Sequence, residues 1–429
     1  MNALGIIILN AFVAEFALRR LAEALNLRSA SAEVPEAFRE FYDPPRYARA
    51  QEYLKARTRF AWLSSAVFLA ATLAFWLWGG FGVLDDRVRF LGFGPIGSGL
   101  IYVGALLAGR AAIAAPFRAF SVFVIEDRFG FNRTSLRTFL ADGVKTMAVA
   151  GLIGAPLLAG VLALFEHAGP RAWLYGWALT VAFMVGLQFM GPRFILPLFN
   201  KFAPLEEGGL RAAIFRYAQS IRFPLENVFV MDGSRRSTKS NAFFTGFGTH
   251  RRIALFDTLV GAHTIPELVA IVAHETGHCR KKHVLMNLAF GSVYSGSMLF
   301  AFSLALRLPI LFETFFVERP SVYAGLVLFS LMLQPFELLL GVTLNMVSRA
   351  QERQADCFAV ETTRNKGALV SALKKISAGN LANLSPHPLH VALSYSHPPI
   401  RQRIRAIEEC CPASGASFDT SASSRPVDG

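Results

Sequence analysis

The chain has 429 residues, of which 53% are hydrophobic and only 17% are charged, and its formal net charge is +13. An average soluble domain carries about 25% charged residues, so this composition favours a multi-pass membrane protein over several soluble domains. The basic residues lie between apolar runs and not on one module with interleaved aromatic residues, which argues against nucleic acid as a partner.

Seven apolar runs approach the length of about 20 residues that one bilayer crossing needs. The first run is the weakest, because it is short and contains Asn10 and Glu15. The pattern predicts a mainly α-helical, multi-pass membrane protein with about seven transmembrane helices. The runs are Leu4–Leu18, Phe60–Leu84, Ile96–Ala115, Met147–Phe165, Trp173–Met190, Val284–Leu306 and Val322–Val347.

Basic residues alternate between rich and poor loops along the chain. Nine lysines or arginines lie from Arg19 to Arg59, whereas the loop after the second run has only Arg87 and Arg89. Cytoplasmic loops carry the excess of basic residues. The alternation therefore predicts an outside N terminus and places residues 193–283 and the C-terminal region, both basic, on the cytoplasmic side.

Two segments have the polarity of soluble structure. Residues 204–283 contain strand-like runs at Val228–Met231, Ala242–Phe244 and Arg252–Phe256, and residues 349–411 have a polar helical pattern. The predicted organisation is therefore five transmembrane helices in 1–203, a segment with a small β-sheet in 204–283, two transmembrane helices in 284–348, a helical segment in 349–411 and a disordered tail in 412–429.

The segment HETGH carries the clearest chemical signal. Its histidines, His274 and His278, are four residues apart and lie on one face of a helix. Two imidazoles at this spacing can bind one Zn²⁺, and Glu275 between them can take a proton from a water that the metal activates. Thr264 and Glu267 form a potential capping box upstream, which supports a helix here.

A catalytic zinc site needs a third protein ligand. Glu352 is the best candidate because it follows the last apolar run, with Asp356 one helical turn later to orient a ligating histidine. The alternatives that stay open are His283, His397, Cys279 and Cys357. For the cysteines, burial as small apolar residues is the commoner role, and four cysteines are too few for a disulfide framework.

Four motifs and one loop in this order along the chain resemble the type I CAAX prenyl endopeptidases, which are multi-spanning zinc proteases. The loop is FVIEDRFGFN at Phe123–Asn132, and the motifs are SRRSTKSNAFFTGFGTHRRIALFDTL, HETGH, SRAQERQAD and SYSHPPIRQRI. The resemblance covers most of the chain, is weakest in the first run and is absent from the tail. It implies that the transmembrane helices enclose a large chamber, which Arg110, Gln334 and Glu337 would face unless they pair internally.

The resemblance also implies roles for particular residues. His274, His278 and Glu352 would bind one Zn²⁺ per chain, with Glu275 as the general base and Asp356 behind the ligands. The substrate backbone would pair with an edge strand at Asn241, Ala242 and Phe243. His397 would stabilise the oxyanion, and Arg403 would bind a substrate carbonyl or carboxylate.

The favoured function is a membrane-embedded zinc endopeptidase that cuts near the C terminus of membrane-associated, CAAX-type substrates, with or without a prenyl group. The alternatives are a broad-specificity quality-control metalloprotease for membrane proteins and a non-catalytic membrane scaffold or transporter. The expected partners are a peptide or protein substrate and membrane lipid. The alanine- and arginine-rich composition favours a bacterial inner membrane with the active site toward the cytoplasm, or the ER membrane in a eukaryote.

Overall fold

The computed structural model describes residues 1–31, 33–245 and 251–410. The predicted tail at 412–429 and Cys411 lie outside the described residues. The N-terminal half consists of helices that contain the first five apolar runs. These helices are α1 (Ala3–Arg28), α2 (Pro44–Leu77), α3 (Gly80–Phe90), α4 (Gly94–Phe120), α5 (Leu136–His167), α6 (Ala172–Met190) and α7 (Leu196–Phe199).

The next segment contains all four strands found in the described residues. Its elements are β1 (Phe202–Pro204), α8 (Gly209–Ser220), β2 (Leu225–Met231), β3 (Ala242–Thr245), β4 (Arg251–Phe256), α9 (Asp257–Ala262) and α10 (Ile265–Arg280). The remaining helices are α11 (His283–Ala305), α12 (Pro309–Thr314), α13 (Val322–Thr363), α14 (Lys366–Gly379), α15 (Pro388–Ser394) and α16 (Ile400–Glu409).

Six helical stretches in the described residues are long and apolar enough to cross a membrane. They are Pro44–Leu77, Gly94–Glu126, Leu136–His167, Gly169–Phe199, His283–Ala305 and Val322–Thr363. Helix α1, which contains the weak first run, is 26 residues long, or about 39 Å at 1.5 Å per residue. It packs against α2 and α13 as the seventh helix of the bundle, so the predicted multi-pass fold is confirmed.

The second apolar run does not form one helix through Leu84, as its composition predicted. The backbone turns at Gly79, whose φ of 72° lies in the left-handed region. This conformation is accessible to glycine without steric cost. Helix α2 therefore ends at Leu77, and the rest of the run forms the short helix α3.

Five of the membrane helices contact one another in a ring, and side chains from four of these five lie in a buried apolar cluster. Helices α4, α5, α6, α11 and α13 pack in this order, and α13 returns to α4. In the most apolar part of each spanning helix at most 22% of the residues are buried. Arg110 and Gln334 line a cavity of about 370 Å³ between α1, α2, α4 and α13. These two polar side chains thus face a cavity, which is one of the two outcomes expected for them.

The small sheet has the strand order β1-β2-β4-β3. Strands β2 and β4 are parallel, whereas β1 pairs with β2 and β3 pairs with β4 in antiparallel fashion. The three predicted strand runs lie within β2, β3 and β4, and β1 was not predicted. Because β3 is the last strand in this order, its outer edge has no partner strand in the described sheet.

Helix α10 lies between this sheet and helices α13 and α14. It is buried from Glu267 to His274, and its apolar side chains share a core with Ile214, Val228, Ile253 and Leu369. At its start the Glu267 carboxylate accepts hydrogen bonds from the Thr264 backbone N–H at 2.8 Å and the Ser371 hydroxyl at 2.6 Å. It also pairs with Lys375 at 2.8 Å. The predicted capping box is present and ties α10 to α14.

Replacing Glu267 with Gln is expected to lower the free energy of unfolding at pH 7 by about 1–3 kcal/mol, because buried hydrogen-bond donors lose a charged acceptor. Burial acts to raise the pKa of Glu267, but bonds from Lys375 and Ser371 outweigh it and lower the pKa from 4.5 to about 2. The contribution of Glu267 to the free energy of unfolding is therefore complete above about pH 4.5, and it is lost as the pH falls toward 2. Thermal unfolding of both proteins between pH 7 and pH 3 tests this, with exposed Glu409→Gln as control. A constant difference across this range would contradict it.

Candidate active site

The structure brings three predicted metal ligands together from two helices. On α10, His274 Nε2 and His278 Nε2 lie 3.1 Å apart. On α13, the carboxylate of Glu352 lies 3.3 Å from His278 Nε2 through Oε1 and 3.6 Å from His274 Nε2 through Oε2. Among the described residues this is the one group of three such side chains whose ligand atoms lie within 4.8 Å of one another.

The donor set fits a zinc ion. Zinc binds imidazole nitrogen and carboxylate oxygen at about 2.0–2.2 Å in tetrahedral geometry, so two ligand atoms on one ion lie about 3.3 Å apart. The three distances between the donor atoms of His274, His278 and Glu352 scatter around this value. Two neutral imidazoles and one carboxylate also match the ligand set of catalytic zinc sites, which keep a fourth position open.

A buried carboxylate and a guanidinium hold the first histidine. His274 Nδ1 lies 2.8 Å from Asp356 Oδ1. Arg403 donates two hydrogen bonds to the same carboxylate, from Nε at 2.9 Å and from Nη2 at 2.6 Å. Because Asp356 accepts from the Nδ1 side of the ring, the lone pair of His274 Nε2 faces the metal position.

A second chain of polar groups orients His278. Its Nδ1 lies 2.9 Å from Nδ1 of His283, whose Nε2 lies 3.0 Å from the amide oxygen of Gln354. The amide oxygen can only accept, so His283 donates from Nε2 and accepts at Nδ1. His278 then donates from Nδ1, which leaves the lone pair of its Nε2 free for a metal. His283, one of the open alternatives for the third ligand, is thus in contact with a ligand and outside the three-residue cluster.

Glu275 lies next to the first ligand on α10 and is mostly buried. Burial raises the pKa of its carboxyl group, although the neighbouring charges of His274 and His278 act to lower it. The net direction is upward, toward the operating pH. A carboxylate with a raised pKa is better matched to accepting and returning a proton near neutral pH.

Helices α10 and α13 approach each other closely at Gly277. A Cβ atom at this position would lie 3.0 Å from Ala355 Cα and 3.2 Å from the Ala355 carbonyl oxygen. Both of these are backbone atoms, which cannot rotate away. The glycine of HETGH therefore allows the helix separation at which Glu352 reaches the two histidines.

The cysteines do not contribute to the cluster. Cys357 forms a disulfide with Cys410. Helix α16 packs against α13, which places the Cα atoms of the two cysteines 5.7 Å apart. The interpretation of Cys357 as only a small buried residue is therefore wrong, and its sulfur is not a thiolate ligand. Cys279 is half-buried on α10 beside His278 and lies outside the three-residue group.

The residues just before the edge strand β3 contact side chains from the N-terminal helices. The Asn241 carbonyl accepts from the Phe256 N–H at 3.1 Å, which extends the ladder with β4 by one residue. Two residues earlier, Lys239 Nζ lies 2.7 Å from both Glu126 Oε2 and the Tyr53 hydroxyl. Glu126 belongs to the loop FVIEDRFGFN. This loop therefore braces the approach to the edge strand, a role that its resemblance alone did not indicate.

A cavity of about 590 Å³ opens beside the metal ligands. His397 lines it, with Nδ1 3.0 Å from Glu352 Oε2 and 65% of its side chain exposed. Arg403 also borders it, but the charge of Arg403 is directed at Asp356 and, at 3.5 Å, at Glu352. Sequence reasoning missed Tyr53 and Arg57, which also line the cavity, because neither belongs to a motif.

Replacing Glu352 with Ala is expected to reduce bound zinc from one equivalent to well below one, since two histidines remain. Replacing Cys279 with Ser is the matched control on the same face of the protein and is expected to keep the full equivalent. Metal analysis of the purified proteins by mass spectrometry measures both. One full equivalent of zinc in the Glu352→Ala protein would show that another residue is the third ligand.

Replacing Gly277 with Ala is expected to weaken zinc binding by about 10-fold or more, because the methyl group separates the helices by a few tenths of an ångström and metal sites tolerate about 0.2 Å. The control is Gly261→Ala, where a Cβ would meet nothing within 4 Å. Competition with a chelator of known affinity measures the change. Equal affinities for Gly277→Ala and wild type would show that the helix separation is not critical.

Two family models together match most of the chain. Residues 23–201 match the model for the CAAX prenyl protease N-terminal region with five membrane helices, and residues 204–410 match peptidase family M48. The probable CAAX prenyl protease 1 of Schizosaccharomyces pombe is 33% identical over 92% of this chain and 88% of its own length. The CAAX prenyl protease 1 homolog of Arabidopsis thaliana is 34% identical over 81% of each chain.

A solved structure has the same fold over nearly the whole length. The crystal structure of S. mikatae Ste24p superposes with a TM-score of 0.90 at 28% identity, and the match covers 95% of this chain and 100% of that one. The chain therefore belongs to peptidase family M48, as a multi-pass membrane metalloendopeptidase similar to the CAAX prenyl protease 1 proteins.

Proposed function

We propose that this protein is a zinc endopeptidase that hydrolyses peptide bonds near the C terminus of membrane-associated, CAAX-type substrates. The observation that carries the proposal is the convergence of His274, His278 and Glu352 beside the mostly buried Glu275. A binding-only zinc site has no use for that fourth side chain. The substrate class rests on the curated relatives, which are named CAAX prenyl proteases.

The residues divide the chemistry between them. Zn²⁺ at the three ligands supplies a Lewis acid for the scissile carbonyl and lowers the pKa of a water to near 7. Glu275 takes the proton of the attacking water and returns it to the leaving amine. His397, exposed beside Glu352, donates to the oxyanion that forms on the carbonyl. Asp356 and Arg403 keep His274 in its ligating orientation.

The outer edge of β3 positions the substrate. Its backbone groups are available for an added strand, which is the β-augmentation mode of peptide recognition. Asn241, Ala242 and Phe243 lie at the start of this edge. Side-chain pockets then select the substrate, while the main-chain hydrogen bonds provide affinity that depends little on sequence.

The membrane orientation follows from the loop charges. The basic segments of the chain include those that carry the catalytic motifs, so the active site faces the cytoplasm. In a bacterium this corresponds to the inner membrane, and in a eukaryote to the ER membrane. The partners are then a peptide or protein substrate, with or without a lipid group, and the surrounding lipid.

Replacing Glu275 with Gln is expected to lower hydrolysis by 10³-fold or more while one equivalent of zinc remains bound, because only the proton acceptor is removed. Cleavage of one CAAX peptide with and without its farnesyl group, followed by mass spectrometry, measures this. Preferential cutting of the farnesylated form supports a lipid-recognising endopeptidase.

Equal cutting of both peptide forms would favour a quality-control protease of broad specificity. Near-normal turnover by the Glu275→Gln protein would exclude the proposed mechanism. Metal content of the same preparation separates loss of the base from loss of zinc.

A further inference from the structure

We propose that Arg57 binds the free α-carboxylate at the C terminus of the substrate, so that the cleavage position is measured from that end of the peptide. The inference deepens the proposed function and rests on it. It assigns a binding role to a residue outside every motif that lines the cavity beside the candidate zinc ligands.

The cavity has the position and size for the residues that follow the scissile bond. It is lined by His397 and Arg403, which both approach Glu352, and also by Arg57, Thr58 and Lys239. Its volume of about 590 Å³ lies within the range of about 300–1,000 Å³ typical of pockets that enclose small ligands. A few peptide residues can therefore occupy it.

The direction of β3 determines which end of the substrate enters. Antiparallel pairs are slightly more stable than parallel ones, so we take the added strand to run opposite to β3. Its C-terminal end then passes the start of β3 at Ala242 and continues toward Lys239, which precedes β3 and lines the cavity. The C-terminal residues of the substrate thus lead into the cavity.

One cation in the cavity has no carboxylate to neutralise it. The side chains with a full charge along its wall are Arg57, Lys239, Arg403 and Glu23. Three have partners: Lys239 with Glu126 at 2.7 Å, Arg403 with Asp356 at 2.6 Å and Glu23 with Arg20 at 2.9 Å. Among the described residues no carboxylate forms an ion pair with Arg57. An anion entering the cavity therefore finds its counter-charge there.

The guanidinium of Arg57 is exposed and lies against the aromatic ring of Tyr53. Its central carbon lies 5.3 Å from the centre of the Tyr53 ring. Tyr53 is itself fixed, because its hydroxyl donates to Glu126 at 2.5 Å and contacts Lys239 at 2.7 Å. A planar guanidinium can bind both oxygens of a carboxylate in a bidentate pair. A peptide whose C terminus is an amide cannot form this pair.

The test compares two CAAX peptides that differ only at the C terminus, one a free acid and one an amide. Wild type is expected to cut the acid with a kcat/KM about 10- to 100-fold higher, the range for losing a charge-assisted pair. Arg57→Gln is expected to lower kcat/KM for the acid to that for the amide, so that the preference for the acid is lost. Arg57→Lys keeps the positive charge but loses the two parallel N–H donors of the guanidinium, so it should retain part of the preference for the acid.

The matched control is Arg59→Gln, an exposed arginine on the same helix that does not line the cavity. It is expected to keep the wild-type preference for the acid. A preference that persists undiminished in Arg57→Gln, or equal cutting of acid and amide by wild type, would overturn the assignment.

Binding separates this inference from the proposed function. Fluorescence anisotropy of labelled peptides on zinc-loaded Glu275→Gln, with and without Arg57→Gln, gives the acid-to-amide affinity ratio without turnover. An acid-to-amide affinity ratio above about 10 that falls to one in the double variant supports the role of Arg57. This holds even if wild type hydrolyses neither peptide, because the absence of hydrolysis would contradict only the proposed function. Equal affinities, or no binding of either peptide, would contradict the role of Arg57.

Discussion

The close contact between α10 and α13 is the constraint on which the active site depends. Two histidines one turn apart on α10 can supply only part of a metal's coordination, and the third candidate donor is Glu352 on α13, 74 residues after His278. The contact is set at Gly277, where a Cβ would lie 3.0 Å from the Ala355 backbone. Protein interiors are close-packed, so this separation is maintained by the cores on both sides of α10 and not by the metal alone.

Charge pairing explains how so many ionisable groups share a small region. Arg403 neutralises Asp356, which orients His274, while Gln354 and His283 determine the orientation of His278. The buried carboxylates of Glu352 and Asp356 each lie beside an imidazole or a guanidinium, as burial in a low-dielectric environment requires. The cavity beside this cluster is bordered by Arg57, an exposed cation that forms no ion pair with a carboxylate among the described residues. A cation in that position is available to an anionic group of a ligand.

The sequence predicted the parts of the structure that have a periodic or local signal. Apolar runs located the membrane helices, and the capping box with HETGH located α10. Long-range pairings had no such signal: the Cys357–Cys410 disulfide, the helix contact at Gly277 and the Tyr53–Glu126–Lys239 cluster each join distant segments. The break at Gly79 was missed because the apolar run continues through it. The third ligand Glu352 was selected among alternatives by its place after an apolar run, and its convergence with the two histidines required the fold.

The measurement that tests the central claim most directly is X-ray absorption at the zinc edge on the purified, detergent-solubilised protein. One zinc held by His274, His278 and Glu352 predicts a single shell of nitrogen and oxygen at about 2.0–2.2 Å, with imidazole scattering from two rings. A sulfur shell at about 2.3 Å would mean that a cysteine binds the metal, and scattering from three or more imidazoles would place another histidine in the coordination sphere. Either result would contradict the site described.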